Sequence, residues 1–107
     1  MAMRSSPMTG EGEEMIIGVL TLELAVGGAM SLKDKRRAVK SLKDRLGHRH
    51  NISIAETDYL DEHRRAEIGI AMVSNDSRFV ESCLSKIVDE VRATRSVGLV
   101  DYAIELL

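Results

Sequence analysis

Residues 15–107 predict a single α+β domain with the element order βαββαβ. Three observations carry that expectation: four stretches place apolar residues on alternate positions, two place them at helical spacing, and clusters of Gly, Ser, Asn and Asp separate them. In front of this domain, residues 1–14 hold the only Pro and no periodic apolar pattern, which predicts a disordered tail. Met15, directly ahead of the first strand, stands where an alternative start would.

From Ile16 to Leu24 the chain alternates, with Ile16, Leu20, Leu22 and Leu24 on one face and Ile17, Val19, Thr21 and Glu23 on the other, so this is a strand. Gly27 and Gly28 break it. Ser31 and Asp34 then form the S-x-x-D capping box that opens a helix. Leu32, Val39, Leu42 and Leu46 share one face of that helix, and Gly47 predicts its end near Leu46 in a left-handed cap. Ile52 and Ile54 alternate next, followed by a polar hairpin loop from Asp58 to Arg64 and a third strand through Ala66, Ile68, Ile70 and Met72. Ser74, Asn75 and Asp76 are all good N-cap types, and Phe79, Val80, Cys83, Leu84, Ile87, Val88 and Val91 keep a strict helical period behind them. Val100, Tyr102, Ile104 and Leu106 close the chain as a fourth strand. Two helices with one apolar face each are best buried together on one side of a four-stranded antiparallel sheet. This is the ferredoxin-like arrangement, with strand order 4-1-3-2 and the other sheet face left free of helices.

Composition narrows the function classes. The longest apolar run is far short of the ~20 residues that span a bilayer, and acidic residues occupy the start where a signal peptide would be basic, so a cytoplasmic protein without a membrane partner is expected. A single cysteine, Cys83, excludes an internal disulfide and any C-x-x-C site. The net charge of −2 divides unevenly, with −3 over residues 1–30, +6 over 31–50 and −5 over 51–107.

That central excess is the sharpest functional signal. Lys33, Lys35, Arg36, Arg37, Lys40, Lys43, Arg45 and Arg49 face only Asp34 and Asp44 in the first helix and its end. At 100° per residue, Lys33, Arg36, Lys40 and Lys43 fall along one flank beside the apolar stripe. Four of the cations occupy the first two turns, where the helix dipole disfavours positive charge. A cationic edge set against its own helix points to phosphate binding, aided by free N–H groups at the helix start. The competing account is a solvated face that balances an acidic chain. Lys35 falls within the apolar stripe, which predicts a stem lying over the core with its ammonium reaching out to water.

Other constellations point elsewhere. Glu56, Asp58, Asp61, Glu62 and His63 cluster at the second hairpin without metal-ligand spacing, as expected of a solvated acidic loop. His48 and His50 flank Arg49, whose charge repels a metal, and Cys83 on the packed face of the second helix predicts a buried, inert thiol. The open sheet face, reading Ile17, Val19, Thr21 and Glu67, Gly69, Ala71, Val73 on its central strands, lacks the aromatic platform on which RNA-recognition sheets stack bases. Phosphate-cleaving chemistry of the acylphosphatase kind needs an arginine in the first strand–helix loop, and AVGGAMS has none. Walker, G-x-G-x-x-G and nucleophile-elbow motifs are also missing.

The segments MIIGVLTLEL, SLKDKRRAVKSLKDRL, SIAETD, AMVSNDSRFVES and VDYAIELL resemble the YlxP-like family of small bacterial proteins of unknown function. SLKDKRR and VSND are the specific parts. The resemblance implies a ferredoxin-like fold and a gene beside those for translation initiation and ribosome maturation factors. It implies no activity, cofactor or catalytic residue. The expectation is therefore a non-catalytic accessory factor that contacts structured, ribosomal RNA through Lys33, Arg36, Arg37, Lys40 and Lys43. The alternative is a homodimeric interaction module whose basic helix meets an acidic protein partner. A homodimer would use the helix-free sheet face, through Ile17, Val19, Ala71, Val73 and Leu99.

Overall fold

The computed structural model describes residues 14–107, so the expectation for the leading segment falls, Glu14 aside, outside the described residues. The elements follow in the order β1 (Ile16–Ala25), α1 (Leu32–Arg49), β2 (Ser53–Asp58), β3 (Arg65–Ser74), α2 (Ser77–Arg92) and β4 (Gly98–Leu106). They build one antiparallel sheet, ordered β2-β3-β1-β4, which is the ferredoxin-like arrangement.

Alternation in the central strands decides which face the helices cover. Leu20, Leu22 and Leu24 of β1 and Ala66, Ile68, Ile70 and Met72 of β3 are buried, while the residues between them are only partly covered. Val39, Leu42 and Leu46 of α1 join Val80, Leu84, Ile87, Val88 and Val91 of α2 above this face in one continuous core. Each fully buried aliphatic side chain contributes about 1.5–3 kcal/mol. Gly18 lets α2 approach closely, because a methyl group there would overlap Cγ1 of Val80.

Four local readings need correction. Helix α1 does not stop at Leu46 but runs through Gly47 to Arg49, and His50 is the C-cap. The extra turn is held by its partners on α2, since Arg49 Nη1 donates to Glu90 Oε1 at 3.0 Å and the His50 ring pairs with Glu90 Oε2. Phe79, periodic with the core of α2, is 55 % exposed, because it lies one step beyond the edge of the buried stripe. Cys83 packs against the core but is only half-buried, and it also lines a groove. Leu99 turns inward, opposite Leu24, and packs against the core, because a β-bulge opposite Glu23 and Leu24 shifts the register at the start of β4. Val100 is thereby left exposed.

The open sheet face thus carries Ile17, Val19, Ala71 and Val73 at one end but not Leu99, and of these four only Val73 is exposed, the others being half-buried. Its other end is acidic. There Glu23 pairs with Glu67 on one side and Asp101 on the other, while a further acid, Glu105, stands beside Val19.

Candidate phosphate-binding surface

Helix α1 begins as its sequence requires. Ser31 is extended and its hydroxyl accepts from the Asp34 N–H at 3.1 Å, while Asp34 Oδ2 accepts from the Met30 N–H at 2.9 Å, so both halves of the capping box form. This occupies the helix start with a carboxylate. The free N–H groups expected to help hold a phosphate are in part already satisfied, and the surface rests on side chains.

Lys33, Arg36, Arg37 and Lys40 are exposed along the outer side of α1, and Lys43 is half-buried at its flank. Lys33 to Lys43 spans about 15 Å of helix at the usual rise. Lys40 is not free, because its ammonium donates to Asp44 Oδ2 at 2.7 Å one turn on. That hydrogen bond, with the attraction of the charge, raises the Lys40 pKa and lowers that of Asp44. Among the described residues, Lys33, Arg36, Arg37 and Lys43 have no ion-pair partner. The other cations of the run serve the fold. Arg45 donates to the Thr94 hydroxyl at 2.6 Å, Arg49 pairs with Glu90, and Lys35 turns inward.

Lys35 departs furthest from expectation. Its side chain is 0 % exposed, so the ammonium does not reach water. Instead Nζ donates to Glu56 Oε2 at 2.8 Å and to the carbonyls of Tyr59 at 2.7 Å and Arg65 at 3.2 Å, with Leu60 O at 3.5 Å. The β2–β3 hairpin is shaped to supply these acceptors. Tyr59 adopts a left-handed φ of 61°, steadied by Asp58 Oδ1 accepting from its N–H and by the Arg65 guanidinium 3.9 Å over its ring. Glu56, counted among the solvated acids of the hairpin, is therefore a structural counter-ion. Its place could not be found by spacing, because it lies on β2, 21 residues from Lys35 in the chain.

Among the described residues, no three His, Cys, Asp or Glu side chains come together where they could hold a metal. His50 is drawn to Glu90 instead of pairing with His48. Sequence reasoning missed one concave feature, a groove of about 270 Å³ between the end of α1 and the start of α2, lined by Arg49, Ile52, Met72, Phe79 and Cys83 among others. The exposed Phe79, out of place for a core residue, is its sign. Among the described residues, no helix is long and apolar enough to cross a membrane.

Among solved structures, the de novo designed protein Foldit4 is similar in fold, with a TM-score of 0.51 at 10 % identity, covering 88 % of this chain and 97 % of the designed one. Uncharacterized protein YlxP of Bacillus subtilis strain 168 is 34 % identical over 73 residues, which cover 68 % of this chain and 79 % of the relative. Residues 17–104, spanning β1 to β4, match the family described as protein of unknown function DUF503, and the chain belongs to that family.

Proposed function

We propose that the protein is a non-catalytic cytoplasmic accessory factor that contacts structured RNA through the outer side of α1. Lys33, Arg36 and Arg37 make the principal phosphate contacts, with Lys40 and Lys43 beside them. The observation that carries this reading is the separation of charge between the two layers. Lys33, Arg36, Arg37 and Lys40 are exposed on the helical side, whereas Glu23, Glu67, Asp101 and Glu105 line the open sheet face. A polyanion is attracted to one layer and repelled by the other. Because the central strands offer no aromatic residue on the open face, such contact is to the backbone and shape of a folded RNA and does not read its bases. Ribosomal RNA is the class suggested by the gene neighbourhood that the family resemblance implies.

The test is sedimentation of ribosomal particles from cells lysed at low salt. The protein should travel with a subunit and leave it as salt is raised, since each phosphate contact releases counterions. Absence from every particle, together with no salt-dependent affinity for structured RNA, would overturn the reading and favour an acidic protein partner for the same helix.

A further inference from the structure

The two edges of the sheet are built differently. Strand β2 is a six-residue edge, polar at Ser53, Thr57 and Asp58 and interrupted by a bulge between Glu56 and Asp58, which are the usual ways of keeping an edge from pairing. Strand β4 is longer, its bulge lies only at its start, and its two charged residues, Asp101 and Glu105, stand on the open sheet face. Its nine residues, GLVDYAIEL, include no Lys, Arg or Pro, and Val100, Tyr102 and Leu106 are exposed by 59 %, 42 % and 38 %.

Hydrogen bonding shows which groups of β4 have no backbone partner among the described residues. Ile17 and Leu107 exchange both of their backbone bonds, so the alternating residues Glu105, Ala103 and Asp101 also turn their N–H and C=O groups toward β1. Those of Tyr102, Ile104 and Leu106 point away from the sheet. The Tyr102 N–H is held meanwhile by Asp101 Oδ1 at 2.8 Å. The side chains of these same three residues lie on the helical side, beside Arg92 of α2, whose guanidinium sits 5.5 Å over the Tyr102 ring.

We infer that β4 is a dimerisation edge, pairing antiparallel with β4 of a second copy so that two sheets become one of eight strands. Charge selects the register. A two-fold axis at Ala103 would set Asp101 against the partner's Glu105, like charges in direct opposition. An axis at Tyr102 would draw the bulged start of β4 into the ladder. An axis at Ile104 sets Tyr102 against the partner's Leu106, Ala103 against the partner's Glu105 and Asp101 against the partner's Leu107. It joins the free backbone groups of Tyr102, Ile104 and Leu106 and places no two carboxylates opposite each other. The edge is self-complementary in this register, as a two-fold interface requires. The inference is independent of RNA binding, which uses the helical side.

Sedimentation of the full chain across a concentration series should show a reversible dimer, and amide exchange at Tyr102, Ile104 and Leu106 should slow by about tenfold or more as the dimer fills. Tyr102→Lys with Leu106→Lys should yield a monomer with an unchanged circular dichroism spectrum, because the two new cations meet across the axis. Val19→Lys, on the open sheet face, should leave the dimer intact. A chain that stays monomeric at every concentration overturns the inference, as does a dimer lost with Val19→Lys but kept with the double substitution. Should the double variant unfold, exchange in the unaltered chain decides: a dimer forming without protection of these three amides overturns the inference.

Discussion

Lys35 and Lys40 lie five residues apart on the same helix, and each ammonium meets one carboxylate at almost the same distance, 2.8 Å to Glu56 and 2.7 Å to Asp44. Their surroundings differ completely. Lys35 is 0 % exposed and bonded to backbone carbonyls besides its acid, whereas the side chain of Lys40 is 76 % exposed and its partner sits on the same helix. Bond length therefore says little about what a cation does. A buried charge has lost its water and depends on every acceptor around it, while an exposed pair competes with solvent and salt and is easily exchanged for another anion. Helix α1 thus has an inner side on which a cation holds the fold together and an outer side on which cations remain available.

The largest expected effect follows from the inner side. Lys35→Ala should destabilise the domain by about 3–5 kcal/mol, because it leaves Glu56 charged and nearly buried and strips a donor from the hairpin carbonyls. Denaturant unfolding measures this. Lys35→Met with Glu56→Gln should recover part of the loss, since the stranded charge is gone, but not all of it, since the carbonyls of Tyr59 and Arg65 still lack their partner. A loss below about 1 kcal/mol in the single variant would mean that water replaces the ammonium freely.

On the outer side the effects should appear in binding and not in stability. Arg36→Glu with Lys40→Glu should weaken structured-RNA binding by about tenfold or more and flatten its salt dependence, while the melting temperature stays within error. Asp44→Asn should act the other way, tightening binding a few-fold by releasing Lys40 and removing a negative charge beside Lys43. If charge reversal leaves affinity unchanged while RNA still binds, the surface is misplaced, and Arg64, Arg65 and Arg78 become the residues to test.

A third situation occurs at the end of α1, where Glu90 receives Arg49 and His50. Burial alone would raise the Glu90 carboxyl, but hydrogen bonds from His50 and Arg49 and the attraction of their charges outweigh it, so its pKa lies below the ordinary 4.5. A lowered folded-state pKa stabilises the native form above the unfolded value. That contribution should be complete above pH 4.5 and disappear as the pH falls from there through the folded value. Glu90→Gln should cost about 1–2 kcal/mol at neutral pH and flatten the acid side of the stability profile.

How much of this was legible in the sequence depended on whether the deciding contact was local. Alternation in β1 and β3 and the period of α2 are local, and they placed the sheet, its helical face and the core. The outer cations were likewise found by angle alone, but their pairing was not. Asp44 could be recognised as a neighbour of Lys40, yet nothing in the spacing said that the two would join or that Asp34 would fill the helix start. Lys35 was correctly placed in the apolar stripe and wrongly given to solvent, because its acceptors come from a hairpin 21 to 30 residues later in the chain. At Leu99 a single bulge reversed the face that alternation assigned.

Gly47 offers the smallest test of the same division, and it asks whether the outer side of α1 is free of structural demands. Its sequence context suggested a helix stop, but the helix continues through it because Arg49 and His50 are held on Glu90, a tertiary gain that outweighs the local preference. A Cβ added at Gly47 would meet nothing within 4 Å. Glycine in a helix interior is worse than alanine by about 0.5–1 kcal/mol, because more backbone freedom is lost on folding. Gly47→Ala should therefore raise stability by about that amount and leave RNA binding unaltered, read as a higher denaturant midpoint at constant slope. A loss of stability would mean that Gly47 takes up a left-handed conformation in solution and that the helix ends at Leu46 after all. The last turn of α1, with its Glu90 pairs, would then be only part-time structure, and the acid sensitivity expected at Glu90 should shrink with it.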